Sequence, residues 1–238
     1  RTRCRRFHLL SDARLSIAIC SVPERAALVQ RTLERLGRRV PVLLDVERRG
    51  NRWNSRRAWS AVDGHSTHHL VLEDDALVCR DFIRVAEAAL TAKPDALVTF
   101  FTPKIDLLKA KELHRSWARI STVFWTQAIS LPTSRVAQFL KWEREHLPEE
   151  YPRKEGTLGM FVQAAGLEVF CTAPNLVNHA EVASAMGHSP PSNRVSHWFL
   201  GDGDGSGIDW TKGIEEPIEI RYPWTARDSY QKWRKKNA

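Results

Sequence analysis

The sequence predicts a single α/β domain with a mostly parallel central sheet and helices on both faces. Three observations predict it. From residue 15 to residue 101, short apolar runs of strand length alternate with segments of helix length, the pattern of consecutive β-α-β units. The chain has 238 residues, enough for one substantial core that needs no staples. No apolar run approaches the roughly 18 to 20 residues of a membrane span, and the chain reads as a soluble, cytoplasmic protein.

Residues 15–20 (LSIAIC) form the first expected strand. A helix should follow, because Ser21 and Glu24 stand at capping-box spacing, Pro23 suits a first turn, Leu28, Leu33 and Leu36 supply apolar positions, and Gly37 ends the segment. A second strand is expected over 40–44. The arginine-rich stretch 47–57 then leads into a helix holding Trp53, Ala58, Trp59 and Val62, closed by Asp63-Gly64. The strand His69-Leu70-Val71-Leu72 runs directly into Glu73-Asp74-Asp75. A helix over 81–92 and a strand over 96–101 continue the alternation.

The second half is less regular. Residues 121–131 read as a strand, 134–146 as a helix, 157–165 as a helix ended by Gly166, and 167–171 as a strand. Beyond His179 the pattern dissolves, and the Gly, Ser, Pro and Asp content of 186–213 marks loop, with Gly201 to Gly207 expected to be mobile. The organisation expected is a basic arm over 1–14, the α/β domain over 15–188, and over 189–238 a flexible loop with a basic, aromatic tail packed on the domain.

The four cysteines, Cys4, Cys20, Cys79 and Cys171, are scattered without a C-x-x-C pair, as fits free thiols in a reducing compartment. A formal charge of +8 and a pI near 9.6 imply an anionic partner, whether sugar nucleotide, nucleic acid or surface.

The most informative feature is the acidic triplet at a strand end, because open α/β sheets bind ligands at the carboxyl ends of their strands. Carboxylates there can hold manganese or magnesium, which bridges the phosphates of a nucleotide sugar. Glu73 and Asp75 have the spacing of such a motif, with Asp75 the better ligand. Two other patterns are set aside. Asp202-x-Asp204-x-Ser206-Gly207 has Gly213 where a calcium loop needs glutamate, and His68 and His69, adjacent in a strand, point to opposite faces and cannot readily share a zinc ion with each other or with His65.

Residues 68–82 (HHLVLEDDALVCRDF) resemble the acidic-motif block of GT-A glycosyltransferases, whose fold is Rossmann-like. The likeness is greatest to the lipopolysaccharide-type family and to small glycosyltransferases of actinobacteriophages. Residues 15–25 resemble the opening nucleotide-binding element. Trp59 with His65 resembles the helix before the acidic motif, and residues 174–179 with 184–188 resemble the closing block. The resemblance implies a nucleotide-sugar-dependent transferase, with a UDP-sugar as the favoured donor and a divalent metal. It sets Ser21, Val22, Arg25, Asp45, Trp59, Glu73 and Asp74 beside the nucleotide, and Asp75, Glu73 and His179 on the metal. Where inverting relatives carry an acidic base, this chain offers Lys154-Glu155-Gly156-Thr157, so Glu155, with Asp74, is the catalytic candidate and the stereochemistry stays open.

The basic clusters 1–6, 48–57 and 232–236, with Trp53, Trp59, Tyr230 and Trp233 beside them, suit phosphate contacts and base stacking. DNA is therefore one acceptor reading, beside a polysaccharide or small molecule, and the resemblance to phage proteins implies phage DNA with a hydroxymethylated base, in the host cytoplasm. A non-catalytic nucleic-acid binder is the rival of another class, but three carboxylates near a basic cleft would repel phosphates. A nucleotidyltransferase should carry a glycine-rich, lysine-containing loop after its first strand, which is absent.

Overall fold

The computed structural model describes residues 12–182, 194–223 and 225–237. Cys4, the basic cluster 1–6 and Ser184 to His188 lie outside them. The chain first builds β1 (Leu15–Ser21), α1 (Ala26–Leu36), β2 (Val42–Leu44), α2 (Asn51–Ser60) and β3 (His68–Glu73). It continues through β4 (Ala76–Val78), α3 (Phe82–Ala92), β5 (Leu97–Thr99), α4 (Leu107–Glu112), β6 (Trp117–Ile120), β7 (Ala128–Pro132) and α5 (Thr133–His146). It closes with α6 (Lys154–Ala165), β8 (Val169–Thr172), β9 (Val177–His179), β10 (Ile218–Ile220) and α7 (Ala226–Asn237).

The main sheet has eight strands in the order β10-β6-β8-β5-β7-β3-β1-β2. β1, β2, β3, β5 and β8 run one way, and β7, β6 and β10 run against them, so the sheet is mixed but mostly parallel, as expected. Alternation along β1 splits the core: Leu15, Ile17 and Ile19 pack with α1 and α3 on one face, while Ala18 and Cys20 pack with α2, α5 and α6 on the other. β4 and β9 form a separate antiparallel pair with Ala76 opposite His179.

Several expectations are corrected. No capping box forms at Ser21: residues 23–25 make a 3-10 turn without a side-chain cap, the Ser21 hydroxyl bonds the Val22 carbonyl at 3.1 Å, and the Glu24 carboxylate pairs with Arg48. Of the run 121–131 only the part from Ala128 is strand. The last ladder bonds are Glu73 N to Gln127 O at 2.9 Å and Phe100 N to Ala128 O at 3.0 Å, so the apolar residues before Thr126 have no strand to join. α6 begins at Lys154, three residues before the expected Thr157. Residues 201–207 fold against α3, where a Cβ on Gly205 would fall 2.5 Å from a Val85 methyl carbon.

The tail is helical. Tyr230 and Trp233 stack on each other with ring centroids 6.1 Å apart and both meet Tyr151 edge-on, so rings expected to receive bases are engaged in docking α7. That docking is close: a Cβ on Gly159 of α6 would lie 2.7 Å from the Ala226 Cβ. Gly159→Ala should gain up to ~1 kcal/mol of helix propensity yet lose more to overpacking. We expect a net destabilisation of about 1–2 kcal/mol by urea unfolding; a more stable variant would show that α7 yields freely.

Candidate active site

β1 is flanked by β2 and β3, reached through helices on opposite faces of the sheet. That makes the carboxyl end of β1 a switch point, where a crevice opens in α/β sheets. A cavity of about 580 Å³ lies there, within the range of roughly 300–1,000 Å³ usual for small-ligand sites. The end of β1 contributes Cys20, Ser21 and Val22; the end of β3 contributes Glu73, Asp74 and Asp75; the start of α6 contributes Lys154 and Glu155. Arg25, Asp45, Arg194 and the segment from Phe124 to Gln127 complete much of the wall.

Each acid of the triplet has a different environment. Glu73, the last residue of β3, accepts bonds at one oxygen from the Thr126 hydroxyl and from the Lys154 ammonium, the latter at 2.8 Å. Burial is the largest influence on the Lys154 pKa and pulls it down, but the charge and hydrogen bond of Glu73 together with the electrostatic effects of Cys20 and Glu155 outweigh it and the net shift is upward, so the lysine stays charged. Asp74 receives the Val22 amide at 3.3 Å. Its pKa is pushed up to about 6 by burial first and then by the charges of Asp75 and Glu73, against hydrogen bonds from Ser21 and Val22.

Asp75 faces His179, with Oδ2 3.1 Å from Nε2. The ladder between β4 and β9 sets this pair, reinforced by Ala180 N donating to Asp75 O at 2.8 Å. Burial raises the Asp75 pKa, but the bond and charge of His179 win and hold it below the usual carboxylate range. His179 is lowered by burial yet raised on balance by Asp75 and by the Ala180 carbonyl. That carbonyl is 2.5 Å from Nδ1, which assigns a proton to Nδ1 and turns the Nε2 lone pair of a neutral ring toward a carboxylate oxygen. Two lone pairs tolerate that distance only with a proton or a cation between them. Asp75 Oδ1 is also buried without a partner. An imidazole fixed through its second nitrogen beside a carboxylate fits a divalent metal.

Ser21, Val22, Arg25, Asp45, Glu73, Asp74, Asp75 and Glu155 are thus gathered on one cavity. The expected three-residue metal set is not: Glu73 is turned to Lys154, and among the described residues no group of three His, Cys, Asp or Glu side chains could hold an ion. Trp59 does not line the cavity. It is buried between His69 and Phe139, each ring centroid 5.7 Å away. Asp45 holds the entry to α2, accepting the Arg49 and Gly50 amides at 2.8 Å each. His68 and His69 do point apart, to the carbonyls of Pro94 and Ala58. Cys20, though on the wall, is a neutral thiol, its pKa pushed up to about 12 chiefly by burial.

No protein-family model matches the chain, and a search of curated proteins gives no match. Solved structures do resemble it. One is the inositol-1-phosphate CTP transferase from T. maritima, with 9% identity over 77% of this chain and 95% of that chain and a TM-score of 0.41. Another is CMP:2-keto-3-deoxy-manno-octonic acid synthetase complexed with CTP, with 11% identity over 68% and 92% and a TM-score of 0.39. A third is the catalytic domain of Drosophila β1,4-galactosyltransferase 7 in complex with xylobiose, with 11% identity over 74% of each chain and a TM-score of 0.39. Likeness of this degree leaves the chemistry to be argued from the site itself.

Sequence reasoning missed Lys154, Thr126 and Arg194. Lys154 had a signal, since it adjoins Glu155 and starts a helix whose N-terminus reaches the cavity. Arg194 had none, lying in a Gly, Ser and Pro-rich stretch that resembles any loop. Chemically, the cavity offers the Asp75 carboxylate, which with the buried His179 behind it could hold a cation, a fixed carboxylate at Glu73 and a partly exposed carboxylate at Glu155.

Proposed function

We propose that the chain is a metal-dependent glycosyltransferase that moves a sugar from a nucleotide-sugar donor, with a UDP-sugar favoured, to a hydroxyl acceptor. The observation that carries this reading is the meeting of Asp75, on the wall of the switch-point crevice, with the buried His179, donor atoms of both being left for a cation. Two protein ligands suffice for manganese or magnesium when phosphates and water complete the shell. When bound, the cation neutralises charge on the departing diphosphate.

In this reading Ser21, Val22, Arg25 and Asp45 bind the nucleotide. Glu73, locked by Lys154 and Thr126, accepts hydrogen bonds from the donor sugar, and Asp74 orients the turn against the Val22 amide. Glu155 takes the proton of the attacking hydroxyl, entering along the wall of Phe124 and Trp125. Modified DNA belongs among the acceptors to be tried, because α7 exposes Arg227, Lys232, Arg234, Lys235 and Lys236.

The test is a thermal-shift panel of nucleotide sugars with and without manganese. One donor should raise the melting temperature only when metal is present, by an amount that grows with its concentration. No shift with any donor, while CTP with metal stabilises the protein, would replace this reading with nucleotidyl transfer.

A further inference from the structure

We propose that Arg194 is a phosphate-binding residue, whose guanidinium receives the diphosphate of the ligand in the switch-point cavity. The choice of diphosphate rests on the nucleotide-sugar reading above. Arg194 lines the cavity with Asp74 and Asp75 and is only 5% exposed. Its Nε and Nη2 are buried without a hydrogen-bond partner. Among the described residues no carboxylate lies within ion-pair distance of it, although the cavity is rich in acids.

Other cations of the wall are engaged. Lys154 holds Glu73 at 2.8 Å, Arg153 is 3.7 Å from Glu155, and Arg48 pairs with Glu24. Arg52 shows what a structural arginine of equal burial does here: its Nε bonds Glu143 at 2.7 Å and its Nη1 bonds the Tyr151 carbonyl at 2.9 Å. A buried guanidinium without such bonds is costly to keep, and its planar fork of donors matches phosphate oxygens.

The backbone beside it is anchored. Two residues on, Ser196 donates its amide to Asn178 at 2.7 Å and its hydroxyl accepts from Asn175 at 2.8 Å. Asn178 is the neighbour of His179, so the same short segment ties the arginine to the cation-binding corner. A ligand with anionic oxygens would lie between a cation at Asp75 and the guanidinium.

The experiment is calorimetric titration of the full chain with inorganic pyrophosphate, with UDP and with uridine, all in magnesium. Wild type is compared with Arg194→Met and Arg194→Lys, and each variant is melted without ligand. Arg194→Met should weaken pyrophosphate and UDP about 10- to 100-fold, spare whatever affinity uridine has, and melt no lower than wild type, since an unpaired buried charge has been removed. Arg194→Lys should recover part of the loss. Unchanged pyrophosphate and UDP binding in Arg194→Met, no pyrophosphate binding by wild type, or a melting temperature several degrees lower would each overturn the proposal. Arg194-dependent pyrophosphate binding without nucleotide-sugar binding would uphold it and remove the transferase reading. Nucleotide-sugar binding that ignores Arg194→Met would do the reverse.

Discussion

Asp75→Asn is expected to weaken metal-dependent donor binding by more than about 100-fold, beyond the 10- to 100-fold that loss of an outer-shell partner costs. The amide keeps the size of the side chain and one oxygen, so packing in the turn between β3 and β4 survives. It lacks the charge that a divalent ion requires. His179→Gln should lose donor affinity by a similar factor, and the double variant little more than either single one, because both changes remove the same ion. Calorimetry with manganese and the stabilising donor reads this directly. Wild-type affinity in Asp75→Asn would remove the metal corner from the mechanism, and additive losses would show that the two side chains serve separate ligands.

Glu143→Ala is expected to destabilise the fold by about 3–5 kcal/mol, which for a chain of this size lowers the melting temperature by roughly 10 °C. Glu143 and Arg52 are buried, with 2% and 5% side-chain exposure, and Arg56 reaches the same carboxylate at 3.3 Å. Removing the acid leaves the buried Arg52 guanidinium with carbonyl partners alone, while Arg56 keeps Glu149 at 2.9 Å. Arg52 also bonds the Tyr151 carbonyl, and the Tyr151 hydroxyl lies where a Cβ on Gly156 would be 2.2 Å away. The clamp therefore fixes α6, with Lys154 and Glu155 at its start. A compensating Arg52→Met, Glu143→Leu pair should be less damaging than Glu143→Ala alone, since it leaves fewer stranded charges. Unfolding in urea decides; a loss below about 1 kcal/mol would reduce the pair to the rank of a surface contact.

The first half of the fold was legible because each element carries its own signal. β1 and β3 are apolar runs of strand length, α1 and α3 have one apolar face, and Gly37 and Gly166 end helices in the left-handed conformation that favours glycine. β4, β9 and β10 are three residues each and exist through their partners, so no periodicity announces them. α7 hid behind its composition: its mean pattern is polar, and its aromatic residues meet a tyrosine that is distant in the chain. In the site, the acids showed themselves by standing at a strand end, whereas His179 came only with the resemblance. Trp59 was misassigned because an aromatic residue near a motif looks the same in sequence whether it faces a ligand or a core. Lys154 as the keeper of Glu73 depends on where α6 begins, an error of three residues.

The ladder between β4 and β9 joins a turn made early in the chain to a histidine made late. A ribosome-bound or truncated chain that ends before β9 would hold β1, β2, β3 and all three acids, yet have no imidazole to set against Asp75. If the proposed metal corner is right, affinity for a divalent ion there would be a reporter of assembly: it would arise only when the two halves have met, and the ion would contribute to holding them together.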